Sequence, residues 1–218
     1  MSQQRLADLA RAVSTRLHRH PQVQVVPGVG AELFVYQNFL DPYECGGLVA
    51  MIDADRVPSA LYAVDGSDND FRTSESCNLD RHHPFVHAID TKIDTLLGLK
   101  HKQGESLQGQ RYAVGQQFKA HTDYFHPGTA YWDKEMTQGG QRCWTAMIYL
   151  DEPEEGGETQ FINAGLTVSP RAGMLLAWCQ TDEAGNPSIA TLHASLPVKR
   201  GIKNIVTKWY RERFWAPT

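Results

Sequence analysis

The chain has 218 residues, of which 41% are hydrophobic and 21% charged, an ordinary composition for a globular protein. Its formal net charge of −4 and its pI near 6.1 argue against a general nucleic-acid or anionic-membrane binder. No apolar run approaches the length that crosses a bilayer, and the first twenty residues lack the apolar core of a signal peptide. The four cysteines lie far apart without a CxxC pair, as is typical of free thiols in a reducing compartment. We therefore expect a cytoplasmic protein that binds neither nucleic acid nor membrane.

Helices are predicted before residue 100, and they cover residues 1–19, 41–52 and 84–98. Asp41 is the expected N-cap of the second helix, because its side chain can accept a backbone N–H bond and Pro42 suits the first helical position. Two extended runs are expected within residues 23–39, around a turn at residues 27–30. Residues 54–80 are polar and rich in turn residues, so a long loop is predicted there.

From residue 105 the apolar pattern takes the period of two that is typical of strands. Eight strands are predicted, over residues 107–114, 117–125, 142–150, 158–162, 165–169, 173–180, 190–198 and 203–214. Strands at this spacing favour a sandwich or jelly roll, with the helices packed on the outer face of one sheet. The predicted fold class is α+β and mainly β, a double-stranded β-helix (jelly roll). We expect a single domain over residues 1–218, with residues 1–104 as a supporting region and residues 105–214 as the jelly-roll core.

A His-x-Asp segment and a distant histidine carry the prediction of a metal site. His121 and Asp123 are separated by one residue, and His193 follows about seventy residues later. In a strand, residues i and i+2 point to the same face, so His121 and Asp123 can bind one metal ion from a single strand. Two histidines and one carboxylate form the facial triad that holds Fe(II) and leaves coordination positions open. No cysteine lies in either segment to complete a closed tetrahedral zinc site.

A lysine close to the distant histidine suggests a co-substrate. Lys203 follows His193 by ten residues, and Pro197 and Gly201 divide the intervening stretch into a strand, a turn and a second strand. A hairpin of that size would bring Lys203 alongside the strand that carries His193. A metal beside a cation suits a dicarboxylate such as 2-oxoglutarate, which chelates iron at one end and pairs its far carboxylate with the ammonium. The alternative for Lys203 is a solvated lysine at the start of a strand.

Several segments match one known family in the family's order. They are residues 72–76, 105–108, 111–118, 121–125, 139–142, 145–150, 155–159, 193–203 and 208–209. On these segments the chain resembles the prolyl 4-hydroxylase branch of the Fe(II)/2-oxoglutarate-dependent dioxygenases. The resemblance covers roughly residues 70–212, and the first 50 or so residues carry little of it.

The resemblance implies roles for individual residues at the iron and co-substrate sites. It assigns iron to His121, Asp123 and His193, and the far carboxylate of 2-oxoglutarate to Lys203. Tyr112 would contact the co-substrate through its hydroxyl, with a buried core aromatic as the alternative. Thr145 is a further candidate for the same pocket.

The same resemblance implies a peptide groove. The residues that would line it are Arg72, Glu105, Arg142 and Trp209. The alternative for the charged residues is surface ion pairing, which contributes little, and for the tryptophan it is simple core packing. After Trp209 the chain reads Tyr210-Arg211, where some relatives have a histidine that helps to place the substrate, so the choice of substrate stays open.

The function that the resemblance implies is hydroxylation of a C–H bond with Fe(II), 2-oxoglutarate and O₂, with ascorbate as reductant. The favoured substrate is a peptidyl proline, hydroxylated at C4 with release of succinate and CO₂. A free amino acid or a small metabolite remains possible, as does a metal-binding jelly roll that does not catalyse oxidation. Residues 54–80 and 126–140 are predicted to be mobile loops that order over the substrate, the alternative being two ordinary surface loops. The oligomeric state does not follow from the sequence.

Overall fold

The computed structural model describes residues 3–27, 30–59 and 70–217. The helices are α1 (Gln3–His18), α2 (Pro42–Asp55), α3 (Pro84–Leu97) and α4 (Trp132–Thr137), with 3₁₀ turns at His101–Gln103 and Ile189–Thr191. The strands are β1 (Val23–Val25), β2 (Leu33–Tyr36), β3 (Val57–Pro58), β4 (Glu75–Asn78), β5 (Gln108–Tyr112), β6 (Phe118–His121), β7 (Arg142–Tyr149), β8 (Glu155–Gly156), β9 (Thr159–Phe161), β10 (Leu166–Val168), β11 (Leu175–Cys179), β12 (His193–Ser195), β13 (Val198–Arg200) and β14 (Lys203–Arg211). None of the described helices is long and apolar enough to cross a membrane.

Two antiparallel sheets make up the predicted jelly roll. The large sheet has the strand order β1-β2-β11-β7-β14-β5-β4-β3, and the small sheet has the order β10-β9-β12-β6. The short strands β8 and β13 pair with each other. The mainly β fold class with a double-stranded β-helix is therefore confirmed.

Side chains alternate between two faces along the central strands of the large sheet. On β7, Trp144 and Ile148 lie in a hydrophobic core shared with α1, α2 and α3. Met147 and Tyr149 lie in a second core, which they share with Phe161 of the small sheet. Because successive side chains of a strand point to opposite faces, one core lies under the helices and the other lies between the sheets. The prediction that the N-terminal helices pack on one outer face is confirmed.

The start of α2 agrees with the sequence prediction. The carboxylate of Asp41 accepts the backbone N–H of Glu44 at 2.8 Å, while the Glu44 carboxylate accepts the backbone N–H of Asp41 at 3.0 Å. This reciprocal pair satisfies two backbone donors that the helix itself leaves unpaired. Lys92 of α3 donates to the same Glu44 carboxylate at 2.7 Å, so the cap also joins two helices.

Two predicted loops contain regular structure, so the loop predictions were wrong in these parts. Strands β3 and β4 lie within residues 54–80 and extend the large sheet beyond β5, whereas residues 60–69 lie outside the described residues. Helix α4 lies within residues 126–140. Composition suggested loops because strands of two to four residues and a six-residue helix have little apolar periodicity. Strand β4 forms because its backbone pairs with β5.

Strand bounds near the site also differ from the prediction. The strand expected over residues 117–125 ends at His121, so Asp123 lies beyond β6 rather than on it. The strand expected over residues 190–198 is divided into a 3₁₀ turn, β12 and the start of β13. Pro197 has no N–H for a strand ladder, and it separates β12 from β13.

Candidate metal centre and active site

Strands β6 and β12 bring the three predicted metal ligands together. His193 is paired directly opposite His121 in the small sheet, and their ring centroids are 4.3 Å apart. The Asp123 carboxylate lies 3.9 Å from the Nε2 atom of each histidine. One ligand atom from each residue lies within 4.8 Å of the others, and no second cluster of this kind occurs among the described residues. The three side chains can therefore hold one metal ion.

Backbone carbonyls orient both imidazoles toward the centre of this cluster. The Nδ1 atom of His121 lies 2.8 Å from the carbonyl of Lys119, and that of His193 lies 2.8 Å from the carbonyl of Thr191. Because a carbonyl can only accept, each Nδ1 carries the proton and each Nε2 keeps its lone pair for a metal. Burial and the neighbouring His193 lower the pKa of His121 to about 3, so it is neutral at physiological pH, as a metal ligand must be.

The carboxylate of Asp123 is fixed on one side by two donors. Its Oδ2 accepts hydrogen bonds from Thr145 Oγ1 at 2.7 Å and from Gln180 Nε2 at 3.1 Å. Burial raises the pKa of Asp123, but the two histidines, Arg142 and the Thr145 bond lower it below its ordinary value. The Asp123 carboxylate is therefore ionised, and neither Thr145 nor Gln180 donates to its Oδ1 atom. Thr145, expected in the co-substrate pocket, contacts a candidate metal ligand instead.

The donor set and its surroundings fit Fe(II). Two neutral imidazole nitrogens and one carboxylate oxygen are ligands that non-haem iron centres use, and no cysteine is part of the cluster. His121 and Asp123 line two cavities, so the cluster faces open space on the side away from the strands. Such space is needed for a co-substrate and O₂ to reach the metal.

The inner cavity is lined by the three candidate ligands and by Lys203, which lies opposite Tyr112 in the large sheet. The hairpin predicted to bring Lys203 beside the strand of His193 was wrong, because the two residues belong to different sheets. The Lys203 ammonium instead reaches the small sheet and donates to Ser195 Oγ. It also donates to the carbonyl of Gly157 at 2.8 Å. Side chains from facing sheets therefore meet in this cavity.

Lys203 is a fully buried cation whose hydrogen-bond partners are neutral. No carboxylate among the described residues lies within ion-pair distance of its Nζ. Burial lowers the pKa of Lys203 to about 7, an effect that Glu158 and Asp151 partly oppose from a greater distance. A buried charge without a counter-ion is unfavourable, so the cavity favours an anionic guest.

Tyr112 lies beside this cation. The Lys203 ammonium is 4.4 Å from the centroid of the Tyr112 ring, a cation–π contact. The Tyr112 hydroxyl donates to Gln110 Oε1 at 2.8 Å, and Gln110 donates to Thr207 at 3.1 Å. Burial raises the pKa of Tyr112, so the hydroxyl stays protonated. Tyr112 is thus a buried aromatic that also lines the inner cavity.

The outer cleft, of about 500 Å³, meets the inner cavity at His121 and Asp123. Its volume lies in the usual range for ligand sites. The four residues predicted to line a groove all line this cleft, namely Arg72, Glu105, Arg142 and Trp209. Phe118 stacks on the His121 ring at 3.6 Å, and the Arg72 guanidinium lies 4.8 Å from the centroid of Phe118. Arg72 donates to Gln108 at 2.9 Å.

A paired arginine and glutamate form the wall beside Trp209. Arg142 donates to the two carboxylate oxygens of Glu105 at 2.7 and 2.8 Å, the two-point geometry that holds a guanidinium in one plane. The guanidinium lies 4.1 Å from the Trp209 ring centroid and fixes the indole at the junction of the two cavities. The indole Nε1 is buried and has no hydrogen-bond partner among the described residues.

Arg211 also lines the cleft. Its guanidinium donates to Glu105 and to Glu135 of α4, and to the carbonyl of Gly140 at 2.8 Å. Arg211 and Glu135 are both almost fully buried. The segment containing α4 was predicted to be mobile because it has few apolar side chains. A buried ion pair between Glu135 and Arg211 joins this segment to β14, and the mobility of the segment stays a prediction.

Comparison with known proteins agrees with this geometry. Residues 107–211 match the family model described as the 2OG-Fe(II) oxygenase superfamily. Prolyl 4-hydroxylase 5 of Arabidopsis thaliana is 34% identical over 201 residues, which cover 81% of this chain and 67% of the relative.

The chain belongs to the 2OG-Fe(II) oxygenase superfamily.

Within that superfamily it belongs to the prolyl 4-hydroxylase-like branch. Probable prolyl 4-hydroxylase 4 of Arabidopsis thaliana is 33% identical over 202 residues, covering 81% of this chain and 66% of the relative. This chain thus spans about two thirds of the length of the curated relatives it matches. A solved collagen prolyl hydroxylase of Paramecium bursaria Chlorella virus-1, in complex with 2-oxoglutarate, is 28% identical with a TM-score of 0.64. That match covers 81% of this chain and 94% of the viral protein.

Some residues of the site were not found from the sequence. Gln180 follows the wholly apolar strand β11 and contacts Asp123 from inside the protein. Glu135 lies in a polar segment, and its burial against Arg211 depends on the fold. The sequence does contain a signal for Gln180, because it is a polar residue directly after a wholly apolar strand. No local pattern marks Glu135.

We expect that replacing Arg211 by Ala destabilises the protein and loosens α4. The substitution leaves Glu135 and Glu105 without one buried partner each, and such a loss typically costs about 3–5 kcal/mol. Chemical denaturation gives the change in unfolding free energy, and hydrogen exchange reports on residues 132–141. The matched control is Arg171→Ala, which removes an exposed ion pair to Glu152 and should cost no more than about 1 kcal/mol. Equal small losses in both variants, with unchanged exchange in α4, would contradict the role of Arg211.

We expect the affinity for 2-oxoglutarate to fall as the pH rises through the pKa of Lys203. Below about pH 7 the ammonium is charged and can pair with a carboxylate, and above it the neutral amine cannot. Titration of the Mn(II)-loaded protein between about pH 6.5 and 8.5 should show a weakening of roughly tenfold or more. His121 is already neutral over this range, because its pKa is about 3.

Lys203→Arg is the control for this pH dependence, since a guanidinium stays charged over the whole range. Its affinity should not change with pH, whatever its absolute value. Constant wild-type affinity across the range would contradict the lowered pKa of Lys203.

Proposed function

We propose that this protein is an Fe(II)- and 2-oxoglutarate-dependent dioxygenase that hydroxylates C4 of a prolyl residue in a peptide or protein. The observation that carries the proposal is the buried Lys203 ammonium, which has no carboxylate partner among the described residues and shares a cavity with His121, Asp123 and His193. A metal centre and an unpaired cation in one cavity suit a dicarboxylate that binds at both ends.

The balanced reaction consumes one C–H bond, O₂ and 2-oxoglutarate, and gives the hydroxylated product, succinate and CO₂. When bound, iron supplies the activation of O₂ that is coupled to the decarboxylation of the co-substrate. Ascorbate is the proposed reductant that keeps the iron in the ferrous state. His121, Asp123 and His193 would hold the iron, and Lys203 would pair with the far carboxylate of 2-oxoglutarate.

The residues around this centre position the reactants and limit access of water. Tyr112 borders the co-substrate cavity and keeps its hydroxyl protonated, so it could donate to an anionic guest by exchanging its present acceptor, Gln110, for the guest. Phe118 covers one face of the His121 ring, and Trp209 stands where the cavity opens into the cleft. These aromatic surfaces reduce the water around the reacting C–H bond, which limits side reactions.

The charges of the outer cleft support a peptidyl substrate. The carboxylate oxygens of Glu105 both accept from arginines, so Glu105 is not available to pair with the ammonium of a free amino acid. Arg72 can donate to a carbonyl, and a prolyl residue inside a peptide has carbonyls and no charge of its own. Burying a charged amino group without a partner is unfavourable. A free amino acid or a small metabolite is therefore the less favoured alternative.

We also propose that the protein acts in a reducing compartment such as the cytoplasm. The support is that its four cysteines are free and buried, with no disulfide to maintain. The rival function, a jelly roll that binds a metal without oxidation chemistry, gives no reason for a buried cation at Lys203.

The proposal is tested by incubating the protein with Fe(II), ascorbate, 2-oxoglutarate and a panel of proline-rich peptides beside free proline. We expect succinate to form, and mass spectrometry to show the gain of one oxygen on a peptidyl proline. Modification of free proline alone would contradict the peptide groove. A metal-loaded protein that releases no succinate, with or without substrate, would contradict the dioxygenase itself.

Two variants separate the metal site from the co-substrate site. Asp123→Ala should lose metal binding, because the carboxylate is the only anionic ligand of the cluster. Lys203→Ala should keep metal binding and lose affinity for 2-oxoglutarate. Calorimetric titration with Mn(II), and then with 2-oxoglutarate, measures both. Metal-loaded Lys203→Ala with wild-type affinity for 2-oxoglutarate would favour the rival function.

A further inference from the structure

A buried glutamine contacts the only carboxylate among the candidate metal ligands. Gln180 is fully buried, and its Nε2 lies 3.1 Å from Asp123 Oδ2 and 2.7 Å from Thr145 Oγ1. Thr145 in turn donates to the same Asp123 oxygen at 2.7 Å. One oxygen of the Asp123 carboxylate thus accepts two hydrogen bonds from inside the protein.

The backbone holds Gln180 firmly in place. Its N–H donates to the carbonyl of Cys143 at 2.8 Å, and its carbonyl accepts from the N–H of Ser188 at 2.9 Å. Its side-chain Oε1 lies 3.3 Å from the hydroxyl of Thr191. Because the ionised Asp123 carboxylate can only accept, the amide nitrogen of Gln180 faces Asp123, and Oε1 is the end that faces Thr191.

The same glutamine is connected to a second candidate ligand. Thr191 contacts Gln180 through its hydroxyl, and its carbonyl accepts the Nδ1 proton of His193 at 2.8 Å. The Thr191 hydroxyl also donates to the carbonyl of Ser188 at 2.8 Å, so the Thr191–Gln180 contact is the weaker one. Gln180 therefore has its firmer connection to Asp123 rather than to His193.

We propose that Gln180 is a positioning residue that, together with Thr145, restricts Asp123 to binding the metal through one oxygen. This proposal rests on the proposed function, because it presupposes a metal held by His121, Asp123 and His193. Oδ2 is engaged by two donors, and Oδ1 is left for the ion. A carboxylate that rotated to bind through both oxygens would occupy a coordination position that the co-substrate or O₂ needs. Partners of metal ligands commonly tune metal affinity in this way.

Gln180→Leu tests this role, because leucine is apolar and of similar size. We expect the affinity for Mn(II) or Co(II), measured by calorimetry without co-substrate, to weaken roughly 10- to 100-fold. The visible spectrum of the Co(II)-loaded variant should also change, since it reports on the number and arrangement of ligand atoms. Thr145→Val should act in the same direction, whereas Thr145→Ser keeps the hydroxyl and should restore near wild-type affinity.

The double variant measures whether Gln180 and Thr145 act on the same oxygen. If they do, Gln180→Leu combined with Thr145→Val should weaken metal binding by a different amount from the product of the single effects. The matched control is Gln103→Leu. Gln103 is also a buried glutamine, and it donates to the carbonyl of Arg211 rather than to a metal ligand. This control should lower the thermal midpoint and leave Mn(II) affinity unchanged.

Wild-type Mn(II) affinity and an unchanged Co(II) spectrum in Gln180→Leu would overturn the proposal. So would an equal loss of metal affinity in Gln103→Leu, which would mean that both act through stability. If Gln180→Leu does not fold, the comparison of Thr145→Val with Thr145→Ser decides, because equal metal affinity in these two variants overturns the proposal. A wild-type protein that binds metal but never turns over 2-oxoglutarate contradicts the proposed function and leaves this test intact.

Discussion

Successive side chains of strand β14 point to opposite faces of the large sheet. Both the inner cavity and the apolar core under the helices depend on that alternation. Lys203 and Thr207 line the inner cavity, and Trp209 stands where this cavity meets the outer cleft. Val206 and Tyr210, at the intervening positions, belong to the core under the helices. A shift of one residue in the pairing of β14 with β5 and β7 would exchange the two sets. The same register therefore builds the apolar core and places the co-substrate cation.

Two buried lysines on β14 show how burial alone does not identify a functional charge. Lys208 lies five positions after Lys203, an odd offset, so the two side chains point to opposite faces. The Lys208 ammonium lies 2.7 Å from the Asp90 carboxylate, and both side chains are fully buried, so this charge has its partner within the fold. Lys203 contacts a carbonyl and a hydroxyl instead. A buried cation that has no carboxylate partner among the described residues can pair with one from a ligand.

The sequence predicted parts of this structure that depend on local pattern, and missed those that depend on distant pairing. Helices α1, α2 and α3 follow from apolar spacing and a capping residue, and the metal ligands follow from a short motif. The adjacency of the metal ligands depends on the pairing of His121 with His193, which are about seventy residues apart in the chain. The cross-sheet contact of Lys203 and the contact of Gln180 with Asp123 have the same long-range origin. Strands of two residues, such as β3 and β8, are too short to have a period at all.

The composition of residues 126–140 did not predict the buried contact that helix α4 makes with β14. Few apolar side chains were taken to mean few contacts, yet Glu135 of α4 is buried against Arg211, whose guanidinium also contacts Glu105. Arg211 lies two residues after Trp209 on the same face of β14, so one strand contributes both the indole at the metal end of the cleft and the anchor of its far wall. If hydrogen exchange shows that these ion pairs hold α4 in place before substrate binds, the wall does not have to be ordered by the substrate. Binding then loses less conformational entropy, and selection depends more on the shape of a preformed cleft than on closure of this segment.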